Sequence, residues 1–162
     1  MNLLLLHHLE TVRSITLKVL SSVTEQESLV TPGGFSNNIV WNLGHIAYIQ
    51  EKLVFELAGK KNQLPASYER LFAAETKPSQ WKETPPTLIQ LKEELMTQTE
   101  RIKEFIPAHY DLKLAKPFIN KAGISFDHVG STFLFSFYHE GMHVETIKQI
   151  KKAIQEKNPN NC

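Results

Sequence analysis

Two histidines one helical turn apart stand out in the segment FSFYHEGMHVETIKQI, residues 135–150. On an α-helix His139 and His143 differ by only about 40° in azimuth, so both imidazoles point the same way. Thr132, Phe135, Ser136, Thr146 and Ile150 share that face, which therefore reads as inward-facing. Two nitrogens so placed can both reach one metal ion about 2 Å from each. The competing reading is a pair of partly buried imidazoles, each hydrogen-bonded to neighbours as burial demands. HEGMH also matches the H-E-x-x-H pattern of zinc proteases, whose glutamate is a general base. Three features argue against that role. Gly141 lies within the helix, Thr146 and Gln149 occupy places where the extended motif needs glycine and histidine, and little chain remains downstream for a third ligand. Glu140 lies about 100° round from His139. It is a candidate to support the ligands from behind, or it faces solvent.

A third ligand has to come from elsewhere, and NNIVWNLGHIAYIQ, residues 37–50, offers His45. Asn38, Trp41, Tyr48 and Ile49 share its helix face, so that face is at least half buried. Gly44, directly before it, has no side chain and lets another helix approach closely. A lone helical histidine of this kind is either a ligand or a hydrogen-bonded boundary residue.

These segments must be positioned by helices. The chain has 162 residues with 41% hydrophobic and 22% charged, enough for one domain burying roughly 70% of its unfolded surface. Helical periodicity runs from about Asn2 to Val23, from Asn38 to Ala58 with Gly59 as its stop, from Leu88 to Ile106 before Pro107, and from Ser125 or Asp127 to about Ile154. On the first of these, Leu4 or Leu5, His8, Val12, Ile15 and Val19 form the apolar stripe, while His7, Thr11, Ser14 and Lys18 form the wet one. Thr87 reads as the N-cap of the third. A short helix fits Ser67 to Ala74 in the proline-rich middle, and the linker from Ala108 to Ile124 has room for a short extended stretch. Four long amphipathic segments predict an all-α four-helix bundle with a long middle connection, one domain over residues 1–162.

Taken together, NIVWNLGHI (38–46) and FSFYHEGMHVETIKQI (135–150) resemble the DinB-like (DinB/YfiT-like) superfamily of four-helix-bundle metalloenzymes. The first looks like that family's W-x-x-G-H segment and the second like its H-x-x-x-H-x-x-x-I segment. The resemblance implies that His45, His139 and His143 bind one divalent metal. It spans nearly the whole chain and departs at Val144 to Lys148, where the family's His-x-Gly-Gln-Ile becomes His-Val-Glu-Thr-Ile. It also brings in reactions that use small thiol cofactors.

Three neutral imidazoles leave coordination positions for water or substrate, which is the catalytic rather than the structural pattern. Zinc, nickel, iron and manganese all suit nitrogen ligands. A metal-bound water would then be the reactive group, with Glu140 and His8 as supporting candidates. The expected function is a metal-dependent transferase or hydrolase acting on a small molecule, with a low-molecular-weight thiol as a candidate cofactor. The alternative is a non-catalytic bundle holding a structural ion or none and acting by association. Phe133, Phe135 and Phe137 cannot all face one side of a helix, so one or two of them meet a homodimer partner or are covered by another element.

Lys+Arg 18 against Asp+Glu 17 gives a formal charge of +1, which provides no field for nucleic acid or membrane. LLLL near the start lacks the basic segment and cleavage site of a signal peptide, so a cytoplasmic location is expected. Cys162, the single cysteine, cannot form an internal disulfide.

Overall fold

The computed structural model describes residues 3–157. The expected helix start at Asn2 and Cys162 lie outside them. Four long helices carry the structure: α1 (Leu3–Leu20), α3 (Ile39–Glu51), α5 (Leu88–His109) and α6 (Val129–Lys157). Between them lie two short helices, α2 (Glu25–Leu29) and α4 (Ser67–Phe72), and a hairpin of β1 (Lys113–Ile119) and β2 (Ser125–His128). The expectation of a strict four-helix bundle is therefore corrected to six α-helices plus a two-stranded sheet among the described residues.

Local chemistry explains the extra elements. Thr24 closes a capping box with Glu27, which ends α1 early and starts α2. Thr87 does the same with Gln90 at the head of α5. That helix continues through Pro107 to His109, because a proline in the last turn removes only one hydrogen bond. The region 125–128, expected as the start of the last helix, is strand β2, which pairs antiparallel with β1. The ladder slips between Lys113 and Phe118, where Pro117 has no N–H to donate. The α3 helix runs on into a π-helical turn at Lys52–Glu56 and stops before Gly59, whose φ of +75° suits glycine.

The core forms two clusters. Ile39, Leu43, Phe72, Leu91, Leu95 and Ile147 fill one, at the level of α4. Leu9, Val54, Ile102, Ile106, Phe133 and Phe137 fill the other. Each fully buried aliphatic or aromatic side chain contributes roughly 1.5–3 kcal/mol. Phe135 is covered by the hairpin, its ring 4.8 Å from Phe126 and 6.2 Å from Phe118.

The stripe expected on α1 is also corrected. Leu9, Arg13, Thr16 and Leu20 are the buried positions, while Ile15 is 50% and Leu4 69% exposed. Two buried polar residues rotate the helix away from its apolar pattern. The Arg13 Nε lies 3.3 Å from Glu140 Oε1, and the Thr16 hydroxyl donates to the same oxygen at 2.6 Å. The Arg13 guanidinium also donates to Gln50 Oε1, and the Gln50 amide donates to Ser136 Oγ at 3.2 Å. Thus α1, α3 and α6 are tied together by one buried polar network. A second tie is Glu51, fully buried on α3, which accepts two 2.8 Å bonds from Arg101 and one of 3.0 Å from Gln98 on α5. Buried charges survive only when paired this way.

Candidate metal centre

His45 comes from the middle of α3, and His139 and His143 from the middle of α6. Their ring centroids lie 4.6 to 5.1 Å apart, and one nitrogen from each lies within 4.8 Å of the other two. Among the described residues this is the group of three or more His, Cys, Asp or Glu side chains with metal-ligating spacing. His45 is buried, and the other two are partly open. A tetrahedral ion at about 2.1 Å spaces its ligands by roughly 3.4 Å, so a small inward rotation of the rings closes the site.

The supporting residues fix which nitrogen of each ring is free. Asn38 caps α3, its side chain accepting from the Trp41 N–H. The Asn38 carbonyl accepts a 2.7 Å bond from the Asn42 side-chain amide, which turns Asn42 Oδ1 toward α6. That oxygen accepts from His143 Nδ1–H at 2.8 Å, leaving the Nε2 lone pair for a metal. His45 is set in a similar way. Its Nδ1–H donates to the Phe72 carbonyl at 2.6 Å, one of the acceptors that the end of α4 leaves without a helical partner. The Leu71 carbonyl beside it accepts from Thr76 and Trp81 instead.

Gly44 makes this approach feasible. A Cβ there would lie 2.5 Å from Phe72 ring carbons, so any side chain would push α4 off and take the Phe72 carbonyl away from His45. Trp41 stacks on the other side of His45, with centroids 4.4 Å apart and planes 15° apart. Burial holds the His139 imidazole down at about 3, with the neighbouring His143 and His45 adding to the effect. It holds His143 at about 4, with His45 adding. His45 is lowered by burial too, partly offset by its bond to Phe72, and the charge of Lys121 lowers it further. All three are neutral at pH 7, the state a metal requires. The donor set fits a divalent transition ion.

The other candidates sit elsewhere. Glu140 is buried, but it faces Arg13 and Thr16 on α1, so its carboxylate is engaged as a helix tie. His8 is exposed and packs edge-on against Phe137, 4.9 Å away. His109 stacks on Phe105, and His128 bonds to Asp127. Sequence reasoning missed Asn42, the Phe72 carbonyl and Arg13. Asn42 had one signal, since it stands one turn after the Asn38 cap, close to the face that carries His45. The Phe72 carbonyl had none, because a backbone acceptor brought up by a short helix leaves no mark in residue type.

No helix among the described residues is long and apolar enough to cross a membrane. A comparison with curated proteins finds no match. Among solved structures, the chain is similar to a conserved protein from Enterococcus faecalis, with a TM-score of 0.66 at 13% identity, covering 94% of this chain and 97% of that one. That likeness speaks to the fold. The DinB superfamily profile matches residues 8–147, a span that takes in α3 with His45 and the His139–His143 pair of α6, and the chain belongs to that superfamily.

Proposed function

We propose that the protein is a divalent-metal-dependent enzyme, a transferase or hydrolase of a small molecule, with His45, His139 and His143 as the metal ligands. The observation that carries this reading is the convergence of three neutral imidazoles within 4.8 Å, two of them with Nε2 left free by a bond at Nδ1. The chemistry supplied by a bound divalent ion would be Lewis acidity toward a water, a thiol or a substrate oxygen. Around it, Asn42 and the Phe72 carbonyl hold the ligand rings, and Trp41 shields His45 from solvent. Three protein ligands leave room for a small molecule, and a low-molecular-weight thiol is the cofactor class this reading favours. Zinc, nickel, iron and manganese are the candidate ions. A cytoplasmic location and a homodimer built on the exposed row Leu134, Tyr138 and Met142 of α6 belong to the same reading.

The test is elemental analysis of protein purified without a metal-affinity tag, beside His45→Ala and His143→Ala. One divalent ion per chain, lost in both variants, is the expected result, and thiol-transfer and hydrolysis screens then follow. Wild-type protein that takes up none of the four metals overturns the proposal and leaves a non-catalytic role by association.

A further inference from the structure

We infer that Thr76 is the positioning residue of His45. Its one hydroxyl, on the turn after α4, fixes both the carbonyl that orients this imidazole and the indole that stacks on it. The inference rests on the metal-site reading above and adds to it the residue that holds one of the three ligands.

His45 is restrained from two directions. The Phe72 carbonyl takes a 2.6 Å bond from Nδ1, and a carbonyl only accepts, so the bond sets both the direction of the ring and its tautomer. The Trp41 indole lies against the ring face, with centroids 4.4 Å apart and planes 15° apart, and so sets the plane of the ring. The two restraints come from different helices, α4 and α3, yet both lead to Thr76.

Thr76 Oγ1 lies 2.8 Å from the Leu71 carbonyl and 2.8 Å from the Ala73 carbonyl, the two that flank Phe72 in the chain. Its single proton is shared between them, and its oxygen accepts from Trp41 Nε1–H at 2.8 Å. With the carbonyls on both sides drawn to Thr76, the Phe72 carbonyl between them is the one left for His45.

The turn is bent to make this contact. Glu75, directly before Thr76, takes φ +72°, in the left-handed region that strains a residue other than glycine. The Thr76 N–H donates to the Ala73 carbonyl at 3.2 Å and closes the turn. Backbone strain of this kind persists where the surrounding bonds over-determine the conformation. Here Thr76 supplies those bonds, through its backbone to Ala73 and through its hydroxyl to Leu71, Ala73 and Trp41.

The test compares full-length wild type with Thr76→Val, which keeps the shape and removes the hydroxyl, and with Thr76→Ser, which keeps the hydroxyl. Thr76→Ala takes the place of Thr76→Val if that variant does not fold. Long-range nitrogen–proton NMR of the metal-free proteins reads the tautomer of each imidazole, and zinc competition against a chromogenic chelator reads affinity. In Thr76→Val, His45 is expected to lose its fixed Nδ1–H form, while His143, held by Asn42, keeps its own. Zinc affinity is expected to fall about tenfold, the lower end for loss of an outer partner, because Thr76 acts through Phe72 and Trp41. Thr76→Ser is expected to restore both the tautomer and the affinity. A turn that served the fold alone would lose stability in Thr76→Val and leave the His45 tautomer in place. That result, or a zinc affinity equal to wild type, overturns the role of Thr76 and leaves the metal site standing. Wild-type protein that binds none of zinc, nickel, iron or manganese overturns the metal reading and this inference with it.

Discussion

Replacing Asn42 by alanine isolates the role of ligand orientation. The side chain makes two bonds, donating to the Asn38 carbonyl at 2.7 Å and accepting from His143 Nδ1–H at 2.8 Å. The Asn38 carbonyl keeps its backbone bond from the Asn42 N–H at 3.2 Å, so the helix is not left with an orphaned acceptor. The cost to the fold is then about 1 kcal/mol, a single net hydrogen bond. The cost to the site is larger. Without Asn42 nothing holds the His143 proton on Nδ1, and the ring is free to rotate or to place a proton on the ligating nitrogen. Loss of such a partner typically weakens metal affinity 10–100-fold, or about 1.4–2.7 kcal/mol. Zinc competition against a chromogenic chelator reads the affinity, and long-range nitrogen–proton NMR of the imidazoles reads the tautomer. An affinity within twofold of wild type, in a variant that has lost the Nδ1–H signal, would refute the reasoning.

Gly44→Ala drives a Cβ into the Phe72 ring and is expected to destabilise the protein by about 1–3 kcal/mol in urea unfolding, with zinc affinity falling as the Phe72 carbonyl leaves His45. In the metal-free protein, His139 and His143 gain protons near pH 3 and 4 when folded but near 6.5 when unfolded. Their stability contribution is therefore complete above pH 6.5 and falls as the pH drops toward 4, by about 1.4 kcal/mol per pH unit for each group. Urea unfolding at pH 7 and 5.5 checks this, and a flat profile that matches the His139→Ala, His143→Ala double variant rejects it. Gly141 is exposed, has an ordinary helical backbone, and has nothing within 4 Å of where a Cβ would stand. Gly141→Ala should raise the unfolding free energy by about 0.5–1 kcal/mol and leave metal content unchanged.

The long helices and the ligand set were legible in the sequence because both rest on periodicity. His139 and His143 fall together at any helical pitch, and the aromatic and aliphatic neighbours of His45 mark a buried face. Gly44 was legible as a point of close approach, and Phe72 is what approaches it. The hairpin was legible only as room for a short extended stretch in the linker where β1 lies, and β2 and its pairing were not legible. Its strands alternate poorly, with Lys113, Lys116 and Pro117 all exposed on β1, and its apolar residues pack on a helix that precedes neither strand. The α1 face was misread because hydropathy ranks Arg13 and Thr16 as surface residues. They are buried because of their partner on α6, more than 120 positions away, and no local pattern encodes that.

That distant pairing also explains why HEGMH does not make a zinc-protease helix here. In that reading the glutamate looks toward the metal. Here Glu140 is 1% exposed and spends one oxygen on Thr16 and Arg13, so turning it toward the histidines would leave the Arg13 guanidinium buried without its counter-charge. Breaking a buried pair in that way costs about 3–5 kcal/mol, more than a single water-mediated contact in the site could return. The same energy fixes the rotation of α6 about its axis. With Glu140 held toward α1, His139 and His143 are left facing α3, where Asn42 and His45 meet them. The glutamate that looks like a catalytic base therefore serves the site by aiming the helix that carries two of its ligands.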